Sequence, residues 1–345
     1  MGTNAVLLVG NIPVREAVMG EDLREPTQEE MEKMQEFIRQ AMREGAWGIS
    51  TGLEYGGYNL FVKTEEIIGL TRVVSEFDGV YTSHIRDEAA KLVEAVEETI
   101  RIGEETGVPV NVTHIKETGR NNWGLMKEAV KAINDARARG VKVTADQYPW
   151  VQGGPVGLIW SLLSVPGDME PLAELRKKMR DRGLEDSERE KIRDQYVDEL
   201  KKALADKSKR EKIEKFNVEG DPVFPSSISR WGWHDFTVMV SDKYPQFTKK
   251  NFIDIFKELG TDPFDTVADW IINDPGMLFA SGSQSEEDMR HAMVQEWTMV
   301  SSDGGAVPIR KETDKPRRGH PRVFASQAKI LRKYVREEKL LTLED

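Results

Sequence analysis

Apolar and polar positions follow two rhythms through the first 150 residues. Short runs rich in Val, Ile, Tyr and Thr read as strands: "AVLLVGN" (5–11), "AWGISTG" (46–52), "VYTSH" (80–84), "VPVNVTH" (108–114) and "VKVTADQYP" (141–149). Between them, apolar residues recur every three to four positions, which predicts amphipathic helices over 27–45, 64–79, 88–107 and 122–140. Thr27 with Glu30 has the form of a capping box, and Gly45 that of a helix stop. Strand and helix alternating every ~30–35 residues predicts parallel strands joined by crossover helices. Near-continuous apolar strands suit a sheet covered on both faces.

The pattern changes over 167–220, a highly charged stretch with helical character. It reads as a helical insertion, either a lid over the mouth of the sheet or a solvated hairpin without a catalytic part. The rhythm then returns more weakly. Segments at 236–242, 251–260, 262–274 and 277–283 carry it on, followed by a helix over 285–296 and a strand-like run at 297–305, and "SQAKILRKYVREEKLLTLED" (326–345) reads as a closing helix. The expected fold is an α/β, TIM-type (β/α) barrel with about six plausible strands. Its expected division is 1–165 for the first part of the barrel, 166–225 for the insertion or lid, and 226–345 for the remaining barrel segments and C-terminal helix. An open doubly wound sheet is the alternative.

In either fold, ligands gather at the carboxyl ends of the strands. Polar residues stand there in this chain: Ser50, Thr51, His84, His114, Asp146 and Tyr148. Two of its five histidines occupy matched positions, in "TSHIR" and "VTHIK". Imidazoles at the ends of neighbouring parallel strands can converge on one ion, and zinc takes His nitrogen at ~2.0–2.1 Å. Asp303, at the end of the last strand-like run, is a third convergent group, suited to be a ligand, a general base or both. A hydrogen-bonded structural histidine remains the alternative for each.

Composition narrows the classes. A net charge of −11 argues against a nucleic-acid binder, which needs a basic face. With no cysteine there is neither a disulfide nor a thiolate ligand. No stretch has the length of a membrane span, and the first residues lack the form of a signal peptide. The chain therefore reads as soluble and cytoplasmic, with no nucleic-acid or membrane partner.

The stretches "GAWGISTGLEY" (45–55), "GVYTSHIRDE" (79–88), "VPVNVTHIK" (108–116), "VTADQYPW" (143–150), "SSDG" (301–304) and "HPR" (320–322) occur in one order. Together they resemble the N-acyl-D-amino-acid deacylase (D-aminoacylase) family of the amidohydrolase superfamily. "EEDMRHAM" and "RKYVREEKLLTLED" resemble its late segments. The resemblance covers nearly the whole chain and is weakest over 165–230. It implies zinc-dependent hydrolysis of N-acyl-D-amino acids. Position by position, it implies that His84 and His114 are metal ligands. By the same resemblance, Asp303 would activate the attacking water and protonate the leaving amine, Lys116 would lie near the substrate, Arg322 would bind its carboxylate, and Tyr148 would line the same pocket. One or two zinc ions are implied.

The chain also departs from that pattern. It has no His-x-His and no cysteine, and Asn11 stands in "LVGN" where the family reads Leu-Val-Gly-His. The expectation is a central-to-C-terminal portion of such an enzyme, its barrel incomplete at the N-terminus. A complementary chain or a homo-oligomer would then complete it. The alternatives are a non-catalytic or half-enzyme subunit, and a different amidohydrolase reaction such as cyclic-amide opening.

Overall fold

The computed structural model describes residues 4–20, 22–55, 61–153, 156–157, 162–179, 183–220, 226–281, 284–305 and 320–344. The chain divides into two compact units. One comprises Met1–Val151 with Gln284–Asp345, the other Gln152–Ser283.

The first unit is built on a six-stranded parallel sheet in the order β1-β2-β3-β4-β5-β9. Its strands are β1 (Val9–Gly10), β2 (Gly48–Gly52), β3 (Val80–His84), β4 (Val110–Val112), β5 (Val143–Gln147) and β9 (Thr298–Val300). Helices α1 (Asn11–Met19), α2 (Gln28–Arg43), α3 (Thr64–Ser75), α4 (Leu92–Thr106) and α5 (Leu125–Ala138) connect the first five. Thr27 caps α2 with the full capping box: its hydroxyl accepts from Glu30 N–H, and the Glu30 carboxylate accepts from Thr27 N–H. Gly107 ends α4 in the left-handed conformation.

Alternate strand residues enter one core. Ile49, Tyr81, Val112, Val143 and Ala145 are fully buried against Ile38, Ile67, Val96 and Ile133 of the helices. Each such Val or Ile side chain contributes about 1.5–3 kcal/mol. The β2–β3 register sets Gly48 opposite Val80 and Gly52 opposite His84. A Cβ on Gly48 would stand 1.9 Å from the Val80 carbonyl oxygen, so only glycine allows the two strands this approach.

Three expectations need correction. The run at 5–11 forms only a two-residue strand, with Val6 and Leu7 exposed, and the chain turns into α1 at Asn11. There the buried Arg15 guanidinium pairs with Glu66 of α3 at 2.5 Å, a tie that no apolar pattern announces. The segments at 237–240 and 278–280 do not extend the parallel sheet. They are β7 and β8 of a separate antiparallel sheet in the second unit, ordered β6-β8-β7 with β6 at Val156–Gly157. Residues 282–283 of the segment at 277–283 lie outside the described residues. Helix Arg322–Lys329 continues as a π-helix only to Glu337. The charged stretch is helical, over Leu172–Met179, Asp186–Ala205 and Lys207–Val218, and belongs to the second unit. Phe236, Phe252, Phe279 and Trp270 pack ring on ring in that unit's core. Among the described residues, no helix is long and apolar enough to cross a membrane.

Candidate active site

The carboxyl ends of β3, β4, β5 and β9 carry the candidate residues. His84 is the last residue of β3. His114 follows β4 by two residues and has φ +41°, a left-handed conformation that costs a non-glycine residue about 1 kcal/mol or more. Asp146 of β5 holds that turn: Oδ1 accepts from His114 N–H at 3.1 Å and Oδ2 from Asn111 Nδ2 at 2.9 Å. Its main-chain oxygen accepts from Ile115 N–H at 2.8 Å. The chain is thereby turned so that the His114 ring meets that of His84.

The two rings stand edge to face at 72°, with His84 Nδ1 2.9 Å from His114 Nε2. His84 Nε2 lies 2.9 Å from Glu54 Oε2, and Tyr55 stacks on the His84 ring at 4.4 Å. On the other side, Lys116 Nζ is 2.8 Å from His114 Nδ1 and 2.5 Å from Glu88 Oε1. An ammonium only donates, so His114 Nδ1 accepts. His114 Nε2–H then donates to His84 Nδ1, and His84 Nε2–H to Glu54. One directed chain of hydrogen bonds thus runs Lys116, His114, His84, Glu54.

Burial alone pushes the Glu88 carboxyl up, but the Lys116 ammonium counters it and the group is held well below the usual carboxylate range. Burial pushes Lys116 down, and the Glu88 carboxylate more than reverses this. The pair is therefore ionic, with both side chains almost out of water. Among the described residues, His84, Glu88 and His114 each offer a donor atom, all within 4.8 Å of one another. Two imidazoles and a carboxylate are a donor set that suits zinc.

The other candidates adjoin this cluster. Tyr148, just beyond β5, is buried, with Lys116 Nζ 5.6 Å and the Arg322 guanidinium 5.1 Å from its ring centroid. Arg322 opens its helix and donates from Nη1 to Asp303 Oδ2 at 2.6 Å. Asp303, three residues past β9, has φ +45°. Gly304 lets its loop approach closely, since a Cβ there would lie 3.0 Å from Val323 Cα. All six residues singled out in the sequence thus stand in one run of contacts, His84–His114–Lys116–Tyr148–Arg322–Asp303. Thr51, expected at the rim, instead bonds Tyr81 and Ser83 in the core.

Glu54, Tyr55 and Glu88 were not singled out from sequence. The signals were there: Glu88 is four residues beyond His84, and Glu54 is two beyond Gly52, the register partner of His84. Carboxylates are common in helix-rich chains, so position alone did not distinguish these two.

No family model matches the chain. It is 43% identical over 150 residues to a D-aminoacylase of Alcaligenes xylosoxydans xylosoxydans, covering 44% of this chain and 31% of that protein. It is 26% identical over 343 residues to an N-acyl-D-glutamate deacylase of the same organism, covering 99% of this chain and 53% of the relative. Among solved structures, it matches an N-acyl-D-glutamate deacylase of Bordetella bronchiseptica, complexed with zinc and a phosphonate inhibitor. That match has a TM-score of 0.61 and 26% identity, over 99% of this chain and 55% of that one. A D-aminoacylase structure described as defining a novel subset of amidohydrolases gives a TM-score of 0.60 at 28% identity, again over 99% and 55%. Over its near-full alignments the chain spans about half the length of the relatives it matches.

Proposed function

Taking kinship with the D-aminoacylases as the premise, we propose that the chain carries the catalytic rim of a zinc-dependent amidohydrolase. The reaction is hydrolysis of the amide bond of an N-acyl-D-amino acid, giving a carboxylate and a free D-amino acid. In this reading, the six parallel strands belong to a (β/α) barrel of the amidohydrolase type. The observation that carries the reading is the unbroken run of contacts from His84 to Asp303.

His84 and His114 would hold the zinc ion. Their facing nitrogens, 2.9 Å apart, need to open only by about 0.5 Å to match donor spacing around a tetrahedral ion. Zinc, when bound, polarises an amide carbonyl and lowers the pKa of water. Asp303 is the proton carrier: its carboxylate, about one-third exposed, takes a proton from the attacking water and delivers it to the departing nitrogen. Arg322 binds the substrate α-carboxylate, for which a guanidinium fork is the matching bidentate partner. Its 2.6 Å bond to Asp303 sets the spacing between the carboxylate-binding and proton-transfer groups. Tyr148 holds Arg322 and Lys116 over its ring, so two cations frame the space for one anion.

The test is Asp303→Asn. Turnover of N-acyl-D-amino acids should fall by at least about a hundredfold while bound zinc is retained. Near-native turnover in that variant would refute the assignment.

A further inference from the structure

The Lys116 ammonium sits at the junction of several electron-rich atoms. It lies 2.5 Å from Glu88 Oε1, 2.8 Å from His114 Nδ1 and 3.2 Å from the His114 main-chain oxygen. Glu88 Oε1 is also 3.1 Å from His114 Nδ1 and 3.8 Å from His84 Nδ1. This is a buried place that stabilises positive charge, built from nitrogen and carboxylate donors rather than from an acidic surface patch. The three residues His84, Glu88 and His114 bring their donors within 4.8 Å of one another. Donors around a tetrahedral zinc stand ~3.4 Å apart, a spacing bracketed by the 2.9 and 3.8 Å separations measured from His84 Nδ1.

Each partner of Lys116 is thus a group that a divalent cation would also seek. A buried carboxylate needs a compensating cation, and removing one without supplying another is strongly unfavourable. Glu88 can exchange one cation for the other without ever being left alone. Withdrawal of Lys116 also lets the ring proton of His114 pass to Nδ1, which leaves Nε2, facing His84 Nδ1, as a donor atom. The Tyr148 ring, 5.6 Å from Nζ, offers the displaced ammonium a cation–π contact next to Arg322.

We propose that Glu88 is the third protein donor of this metal site and that Lys116 is its internal competitor. A divalent cation binds His84, His114 and Glu88 as the Lys116 ammonium leaves Glu88 and His114. This rests on the reading that His84 and His114 hold zinc, and it adds a consequence. Metal loading turns Lys116 toward the space where the substrate carboxylate is proposed to bind, so ion and substrate favour one another's binding. Glu54, which accepts from His84 Nε2, is then the outer-shell partner that orients the other imidazole.

The test is zinc affinity, measured on the full chain by competition with a chromogenic chelator, with the visible spectrum of bound Co²⁺ as a second readout. Glu88→Gln should weaken binding by at least about tenfold and alter the Co²⁺ spectrum. Lys116→Met should bind more tightly than wild type. Its fold should be less stable without metal and gain more from added zinc than the wild-type fold does. Because Glu88→Gln leaves Lys116 buried without its partner, the double variant Glu88→Gln/Lys116→Met, which buries neither charge, is the control for folding. It should bind zinc as weakly as Glu88→Gln. Equal zinc affinity in wild type, Lys116→Met and the double variant, with loss in His84→Ala, would overturn the role of Glu88 and leave the two-histidine reading standing. Absence of zinc binding from wild type and Lys116→Met alike would overturn both.

Discussion

His84 and His114, thirty residues apart, meet with their ring nitrogens at 2.9 Å. Neither side chain is placed by its own strand alone. His84 is fixed by the β2–β3 register and by Glu54. His114 is fixed by a left-handed turn that Asp146 clamps from the next strand. A pair of imidazoles so placed is a property of four neighbouring parallel strands and their loops.

The clamp can be removed. In Asp146→Ala, the His114 amide and the Asn111 side chain both lose a charged acceptor. The expected loss of stability is about 2–4 kcal/mol, read from urea denaturation midpoints. Zinc affinity should fall with it, because the turn presenting His114 is no longer held. An unchanged midpoint would show that the turn does not depend on Asp146.

Glu117, next in sequence to Lys116, provides a pH test. It is buried, one oxygen accepts from Ser285 N–H at 2.7 Å, and the other has no hydrogen-bond partner among the described residues. Burial pushes its pKa up to about 8; the Ser285 amide opposes this and Asp288 adds to it. Because the folded value lies above the unfolded one, the contribution is complete below about pH 4.5 and is lost as pH rises through about 8. The loss amounts to a few kcal/mol, at about 1.4 kcal/mol per factor of ten. Glu117→Gln should therefore be more stable than wild type at pH 8.5 and lack its decline between pH 5 and 8.5. Parallel stability profiles for the two proteins would contradict this.

Gly48→Ala tests the register that sets Gly52 beside His84. The added methyl would meet the Val80 backbone from 1.9 to 2.9 Å, with no flexible side chain to give way. A cost of about 3 kcal/mol or more is expected in denaturation midpoints, exceeding ordinary core overpacking. A change below ~0.5 kcal/mol would mean that the strands are not so closely paired.

Much of the first unit was legible because its physics is local. The capping box at Thr27 and Glu30, the helix stop at Gly45 with φ +105° and the β-branched run ending at His84 are each encoded within a few residues. The gathering of His84, His114, Tyr148 and Asp303 followed from parallel strands ending at one rim. The antiparallel pairing of Thr237–Val240 with Leu278–Ala280 was not legible, since an apolar run of three or four residues looks alike in either sheet. Nor were the partners: Glu54 on His84, Glu88 on Lys116 and Asp303 on Arg322 are long-range pairings. Glu54 and Glu88 look, in sequence, like ordinary surface charge.

The central claim is most directly tested by supplying zinc to the full chain and measuring release of free D-amino acid from N-acetyl-D-amino acids. The matching N-acetyl-D-amino acid amides, which lack the α-carboxylate, are run beside them. The account predicts release from the free acids, little from the amides, and loss of that preference in Arg322→Lys. No release from any N-acetyl-D-amino acid, or equal release from acids and amides, would contradict it.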